Sequence, residues 1–257
     1  MRVSELSRRL LSVFFIALVG LIAGCAGQGS SANEQPVVLV AGATGGTGKP
    51  LVANLQSQGY TVRVFVRDET KARGVLGDGV EYAVGDVRKV ETFRAALANV
   101  DYVISAIGSS RGDPSNNPEA VDYQGVKNMA TAAADARVKQ FVLVSSSGVT
   151  QEDHFLNKAF NNVLIWKFKG EEALRNSGVP YTIVRPGGLV NKPGGQEALV
   201  FSQGDKTTGI ISREDVALIC IAALQTPEAV NKTFETFSST EPGDNNWEQL
   251  YSSLQAD

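Results

Sequence analysis

The chain has 257 residues, 43% of them hydrophobic, and a formal net charge of −3 at pH 7. This length and composition suit one well-packed domain, and the mildly acidic balance argues against nucleic acid as the main partner. One histidine, His154, and two cysteines, Cys25 and Cys220, are too few to build a zinc site between them. We expect His154 to be a solvated loop residue and Cys220, which lies in an apolar stretch, to be a small core residue.

Residues 1–24 have the three parts of an export signal peptide. A basic segment carries Arg2, Arg8 and Arg9, an apolar stretch covers residues 10–23, and small residues end the segment. The apolar stretch is short of the roughly 18–20 residues that span a bilayer comfortably. The paired arginines also resemble a twin-arginine signal, which implies export of a folded protein.

Residues 22–25, Ile-Ala-Gly-Cys, resemble the lipobox of bacterial lipoproteins. The resemblance implies cleavage before Cys25 and lipidation of that residue, with several acyl chains giving a stable membrane anchor. Residues 25–36 are rich in small polar residues and predict a flexible tether. These patterns predict an exported, membrane-anchored lipoprotein at the extracytoplasmic face. An uncleaved N-terminal anchor and an ordinary signal peptide are the alternatives.

The globular part begins with a strand, a glycine turn and a helix. Residues 37–40 form an apolar, β-branched run, as expected for a parallel strand covered on both faces. Gly42, Gly45 and Gly48 follow in a G-x-x-G-x-x-G spacing, and a helix is predicted over residues 47–58. Such a turn lets the backbone approach a dinucleotide pyrophosphate, which then meets the helix N-terminus. The alternative is a glycine-rich turn that binds nothing.

A second strand over residues 61–66 ends at Arg67, about twenty residues beyond the glycine motif. An acidic residue at this position would bind a ribose 2′-hydroxyl, whereas an arginine suits a 2′-phosphate. Arg67 therefore favours NADP over NAD, although NAD stays possible because Asp68 follows directly. A solvated arginine at the strand end is the alternative.

Strands and helices continue to alternate to the end of the chain. Further strands are predicted over residues 80–84, 101–108, 140–144, 181–184 and 232–237. Further helices are predicted over residues 89–98, 119–136, 161–176 and 245–254, with one more that opens at a capping box over residues 212–215 and ends at 224. The polar loop over residues 109–118 is expected to be mobile. The stretch from 189 to 206 has no clear periodicity and is expected to be a substrate-side lid.

This alternation predicts an α/β fold. We expect a Rossmann-like, doubly wound parallel sheet in a single domain over residues 37–257, with a small C-terminal portion on the substrate side.

Several segments together resemble one family. They are Gly42-x-x-Gly45-x-x-Gly48, Gly85-Asp86-Val87, Ser145-Ser-Ser-Gly148, Lys167-x-x-x-Glu171 and Tyr181-Thr-Ile-Val-Arg-Pro-Gly187. They resemble an atypical short-chain dehydrogenase/reductase of the NAD(P)-binding, NmrA-like and flavin-reductase-like group. The resemblance implies a nicotinamide dinucleotide held by Gly42, Thr44, Gly45, Gly46, Thr47, Gly48, Arg67, Asp86, Val87, Ala106, Ile107 and Gly108.

The catalytic residues that the resemblance implies are only partly present. Ser147 matches the family's serine and Lys167 its lysine, but the tyrosine position holds Val163. Valine cannot transfer a proton, so general acid catalysis by that route is absent. Tyr123 and Lys127 have the Tyr-x-x-x-Lys spacing, but they precede the fifth strand and are expected to be an ordinary pair on a helix. Lys167 itself could instead be structural or bind only the nicotinamide ribose.

Two functions stay open at this point. The first is an NADPH-dependent oxidoreductase acting on a flavin- or quinone-like acceptor, which needs little acid assistance. The second is a non-enzymatic NAD(P)-binding redox sensor or assembly factor for membrane complexes.

Overall fold

Ten strands run through the described part of the chain. The computed structural model describes residues 35–110, 113–241, 243 and 245–257, within one compact unit, Gln35–Asp257. The strands are β1 (Val37–Ala41), β2 (Thr61–Val66), β3 (Glu81–Val84), β4 (Tyr102–Ser105), β5 (Gln140–Val144), β6 (Tyr181–Pro186), β7 (Gly188–Val190), β8 (Leu199–Ser202), β9 (Ile210–Ser212) and β10 (Lys232–Ser238).

Helices connect most of these strands. They are α1 (Gly48–Ser57), α2 (Glu69–Leu76), α3 (Val90–Ala96), α4 (Val126–Asp135), α5 (Phe155–Ala159), α6 (Val163–Arg175), α7 (Arg213–Gln225) and α8 (Trp247–Ser252). A π-helix, Glu119–Gly125, runs directly into α4, and short 3₁₀ turns cover Pro114–Asn116 and Pro227–Ala229. In the described part of the chain, no helix is both long enough and apolar enough to cross a bilayer.

The main sheet has eight strands in the order β3-β2-β1-β4-β5-β6-β10-β8. All neighbouring pairs are parallel except β10 and β8, and β7 and β9 form a separate two-stranded sheet. The strand order reverses between β1 and β4, and ligands of open α/β sheets bind at such a switch point. The predicted α/β, Rossmann-like, doubly wound fold is confirmed.

The central strand β1 separates two hydrophobic cores. Val38 and Val40 pack in the core that includes α1 and α7, whereas Leu39 packs in the core that includes α3 and α4. All three side chains are fully buried, because alternate residues of a strand face opposite sides of a sheet that is covered on both. Burying each of these side chains contributes about 1.5–3 kcal/mol to stability. This burial holds β1 in place in the sheet and so positions the glycine turn that follows it.

The structure corrects several predicted boundaries. The predicted helix over residues 119–136 begins as the π-helix, and the predicted strand over residues 101–108 is limited to β4. The sequence analysis missed α2 and α5, and it also missed β7, β8 and β9 in and beside the stretch predicted as a lid. In α2, a helix of eight residues, only Ala72 is buried, so the apolar pattern that marks this helix is short.

The prediction for Cys220 is confirmed, and that for His154 is confirmed in part. Cys220 is fully buried in the core, as predicted. His154 lies in the loop before α5, as predicted, but it is half-buried rather than fully solvated, and its Nδ1 caps α5 by accepting a hydrogen bond from the Leu156 N–H at 3.2 Å.

The predicted signal peptide over residues 1–24, Cys25 and the tether up to residue 34 lie outside the described residues.

Candidate functional site

The glycine turn after β1 takes a shape that only glycine permits. Gly42 has φ +84°, and a Cβ atom added there would lie 2.5 Å from the carbonyl oxygen of Ala106. A Cβ atom added to Gly48 would lie 2.1 Å from the Gly42 oxygen. The turn is therefore pressed against the end of β4 and against the first turn of α1. This packing brings the backbone N–H groups at the start of α1 to the carboxyl edge of the sheet.

A cavity of about 730 Å³ opens beside this turn, and we call it the first cavity. Its wall includes nine of the twelve residues predicted to bind the cofactor: Gly42, Thr44, Gly45, Arg67, Asp86, Val87, Ala106, Ile107 and Gly108. The other three, Gly46, Thr47 and Gly48, are not in its wall and form the entry to α1. These nine residues lie between positions 42 and 108 of the sequence, and they meet at one edge because parallel strands end together there.

The charged groups of the first cavity differ in whether they have partners. The Asp68 carboxylate caps α2 by accepting a hydrogen bond from the Lys71 N–H at 3.0 Å, and this bond lowers the pKa of Asp68. Asp86 is held by the Arg88 guanidinium, whose Nε lies 2.9 Å from Oδ1, and this contact lowers the pKa of Asp86. Within the described residues, Arg67 has no ion pair. Both carboxylates therefore have hydrogen-bonded partners of their own, while Arg67 is in no ion pair and its charge only adds to the lowering of the Asp86 pKa.

Lys71 is a cavity residue that the sequence analysis missed. It lines the first cavity with Arg67, and its ammonium is 3.6 Å from Asp68, with 86% of the side chain exposed. The missed signal was α2 itself, since a helix beginning at residue 69 places Lys71 in its first turn.

A second cavity of about 640 Å³ lies beyond the end of β4. The two cavities are consecutive along one loop, with Ile107 and Gly108 in the wall of the first and Ser109 and Ser110 in the wall of the second. The apolar part of the second wall comes from α5, α6 and the segment between them: Leu156, Ala159, Phe160, Val163 and Leu164. An apolar pocket with a few polar groups is the usual form of a small-molecule site.

The polar groups of the second cavity include one of the two predicted catalytic residues. Lys167 lines it, whereas Ser147 does not and Ser146 takes that place. The Ser147 N–H is bonded to the Pro186 oxygen at 3.0 Å, which joins the turn after β5 to β6. Successive residues at a strand end point to opposite sides of the sheet. Ser146 therefore faces the second cavity, and the next residue, Ser147, does not.

Lys167 is paired with a carboxylate that the sequence analysis missed. Its Nζ lies 2.8 Å from Oδ1 of Asp122, whose side chain is only 1% exposed, against 18% for Lys167. The other Asp122 oxygen accepts a hydrogen bond from the Ser109 N–H at 3.1 Å. Gly170 allows this approach, since a Cβ atom there would lie 2.2 Å from the Asp122 backbone oxygen. The π-helix thus places a buried negative charge beneath the lysine, and π-helical segments often occur at functional sites.

No tyrosine belongs to the described residues that line either cavity. Val163 is in the wall of the second cavity, at the position where the resemblance implies a tyrosine. Tyr123 stacks on Trp166 with ring centroids 6.0 Å apart and contributes to neither wall. The Tyr-x-x-x-Lys spacing at residue 123 is therefore an ordinary feature of the π-helix and α4, as expected.

A buried ionic network joins α6, β6 and β10 to the turn after β5. The Arg185 guanidinium contacts Glu171 of α6 at 2.6 Å and Glu235 of β10 at 3.1 Å. Burial alone would lower the pKa of Arg185, but these two carboxylates raise it overall. Glu235 also accepts from the Asp205 N–H at 2.9 Å, and the Asp205 carboxylate accepts from the Gly148 N–H at 2.5 Å. The motifs around residues 171 and 185 therefore position the turn after β5 and do not line either cavity.

The described residues fit a nicotinamide dinucleotide. The glycine turn presents backbone donors beside a wall that holds Arg67, a cation without an ion pair, and this arrangement suits a diphosphate. The ionised Asp86 is an acceptor for an adenine amino group.

Comparison with known proteins agrees with this geometry. The family model described as NAD(P)H-binding matches residues 42–227. The chain therefore belongs to the NAD(P)H-binding family.

Particular relatives cover most of the chain. It is 36% identical over 253 residues to sanguinarine reductase from Eschscholzia californica, and the alignment covers 82% of this chain and 92% of the relative. It is 31% identical over 205 residues to the photosystem II assembly factor Ycf39 from Trieres chinensis, covering 77% of this chain and 62% of that one. A putative NAD-dependent epimerase/dehydratase structure from Bacillus halodurans superposes with a TM-score of 0.73 at 26% identity, covering 85% of this chain and 100% of that one.

Proposed function

We propose that the protein is an NADP(H)-dependent oxidoreductase that passes hydride to a flavin- or quinone-like acceptor without a catalytic tyrosine. The observation that carries the proposal is the pair of cavities on one loop. One is lined by the glycine turn and by Arg67, which has no ion pair, and the other is largely apolar with Lys167 in its wall. A cofactor and a planar acceptor would meet where the loop passes from Gly108 to Ser109.

The preference for NADP over NAD rests on the partners of the charges in the first cavity. Asp68, the residue that could hold a ribose 2′-hydroxyl, is already engaged as the cap of α2. Arg67 and Lys71 are the cations beside it, and a 2′-phosphate is the group that two cations favour.

The residues of the second cavity suit an acceptor that spreads the arriving charge. When bound, the reduced nicotinamide supplies the hydride. Lys167 holds a proton at Nζ close to Asp122, and the neighbouring Val163 can neither give nor take one. Reduction of a simple carbonyl places charge on one oxygen, for which a positioned acid typically contributes about 10²–10⁴-fold. Flavins and quinones delocalise the two electrons and can take their proton from Lys167 or from water.

An acceptor panel tests the proposal. We expect NADPH oxidation with riboflavin phosphate or menadione and negligible oxidation with simple ketones or aldehydes. Val163→Tyr should gain weak carbonyl reduction, while Val163→Leu is the control that changes the wall without adding an acid. Ser147→Ala should cost little, because its side chain is not in the cavity wall. Efficient ketone reduction by the unmodified protein would contradict the mechanism.

The second candidate is a non-enzymatic NAD(P)-binding sensor or an assembly factor for membrane complexes. It is favoured by the absent tyrosine at Val163 and by the similarity to a relative whose name is assembly factor. The first candidate is supported in turn by the similarity to a relative named as a reductase, which the chain covers more fully. Tight NADPH binding without turnover of any acceptor would move the proposal to the second candidate.

We further propose that the protein is exported and lipid-anchored through Cys25. The support is the sequence pattern of residues 1–25 alone. Export in the folded state, which the paired Arg8 and Arg9 suggest, would carry the cofactor across the membrane already bound.

A further inference from the structure

We infer that Arg213 is a second anion-binding residue, which contacts the dinucleotide pyrophosphate from the α7 side of the glycine turn. The inference rests on the proposed dinucleotide binding and adds a residue that lies more than 160 positions beyond the glycine motif. It is carried by the place of the Arg213 side chain against the glycine turn.

Arg213 lies directly over Gly46. A Cβ atom added to Gly46 would be 2.7 Å from both Cδ and Nε of Arg213, so the arginine fills the space that any other residue at position 46 would occupy. Arg213 is the first residue of α7, and α1 and α7 pack side by side in one core. The guanidinium is therefore held beside the loop whose N–H groups would bind phosphate.

The hydrogen-bond partners of Arg213 are neutral. Its Nη1 donates to the Leu189 oxygen at 3.3 Å and to Oδ1 of Asn191 at 2.8 Å. Within the described residues, Arg213 has no carboxylate partner, and its Nε and Nη2 make no hydrogen bond. A half-buried guanidinium thus keeps its full charge and at least three N–H donors directed at no protein group.

The acidic neighbours of Arg213 are committed elsewhere. Oε2 of Glu214 accepts from the Gly194 N–H at 3.1 Å, and Oδ1 of Asp215 accepts from the Gly195 N–H at 2.7 Å. Ser212 caps α7 by accepting from the Asp215 N–H at 2.9 Å. These contacts fix the first turn of α7 and leave Arg213 as a positioned, uncompensated cation beside a phosphate-binding loop.

A pyrophosphate carries two negative charges, and the glycine turn supplies only neutral N–H groups to meet them. Arg67, in the first cavity, is placed for the 2′-phosphate at the other end of the adenosine. The two arginines therefore contact different phosphates of one ligand, and this division has a consequence for binding. Loss of Arg213 should weaken NADPH and NADH alike, whereas loss of Arg67 should weaken NADPH alone.

Titration calorimetry with NADPH, NADH and adenosine 2′-phosphate tests this division. Arg213→Ala should weaken NADPH and NADH by the same factor, about tenfold to a hundredfold for a charge-assisted contact, and leave adenosine 2′-phosphate unchanged. Arg213→Lys should recover part of the loss, because it restores the charge but not the fork of donors. Asn191→Ala is the matched control, since it removes a neutral partner of Arg213 and leaves the charge, and it should change affinity less than about threefold.

Two results would overturn the inference. One is unchanged affinity of Arg213→Ala for both dinucleotides, in a variant whose thermal unfolding shows that it is folded. The other is an equal loss in Asn191→Ala and Arg213→Ala, which would assign Arg213 to holding the segment after β7. If Arg213→Ala does not fold, Arg213→Gln takes its place. The proposed function fails separately, and only if the unmodified protein binds neither dinucleotide.

Discussion

The Arg67→Ala variant tests which nucleotide the first cavity is built to hold. Arg67 is in no ion pair within the described residues, and it lines the first cavity together with Lys71. A charge-assisted hydrogen bond to a phosphate contributes about 1.5–3 kcal/mol, and the exposure of Arg67 places the expected value near the lower limit. We therefore expect about a tenfold loss of NADPH affinity in Arg67→Ala, with NADH affinity unchanged. Lys71→Ala should give a smaller loss of the same sign, because that side chain is 86% exposed.

The matched control for this experiment is Asp68→Asn. Asparagine still caps a helix, so α2 should persist, while the negative charge next to Arg67 disappears. NADPH should bind as well or slightly better in this variant, and NADH should be unaffected. Calorimetric titration of all the variants with both nucleotides gives the comparison. An equal loss of NADPH and NADH affinity in Arg67→Ala would show that Arg67 does not select the 2′-phosphate. A selective loss of NADH affinity in Asp68→Asn would show that Asp68 binds the ribose.

Three further predictions concern the rest of the chain. Asp122→Asn removes the buried partner of Lys167 and should lower the free energy of unfolding by about 3 kcal/mol, measured in urea; an unchanged midpoint would contradict the pairing. For Asp205, burial opposes ionisation, but hydrogen bonds from the Gly148 and Thr150 N–H groups lower the pKa of the carboxyl below its usual range. The stabilisation that ionised Asp205 contributes is present above the unfolded pKa and is lost as pH falls through the folded pKa. In Asp205→Asn, the Tm should therefore fall less steeply below about pH 4 than in the unmodified protein. Equal slopes of Tm against pH in the two proteins would contradict this. Finally, Cys25→Ser should abolish acylation and release the protein from membranes on fractionation; membrane association that survives would favour an uncleaved anchor.

Features that depend on neighbouring residues were predictable from the sequence. An unbroken apolar run favours a place for β1 in the middle of a sheet, and the glycines that follow allow the tight turn into a helix. For that reason most of the predicted cofactor residues lie in the wall of one cavity. Arg67 follows because a parallel strand next to β1 ends at the same edge.

Features that depend on distant packing were not predictable. Asp122 meets Lys167 only because α4 begins as a π-helix and Gly170 lets α6 approach it. Arg213 reaches the glycine turn because α1 and α7 lie together, which no local pattern in either helix reveals. Whether Ser146 or Ser147 lines the second cavity depends on which of two successive residues after β5 faces it. A run of identical serines gives no signal for this.

The central claim is that reduced nicotinamide bound in the first cavity gives its hydride to a conjugated acceptor in the second. Single-turnover mixing tests it most directly: protein loaded with NADPH, or with NADPH deuterated at the transferred position, is mixed with menadione while the absorbance of the reduced nicotinamide is followed. We expect that absorbance to fall in one turnover, with a slower rate for the deuterated cofactor and a faster rate for menadione than for any simple ketone. Stable absorbance after mixing, with the nucleotide shown to be bound, would contradict the claim.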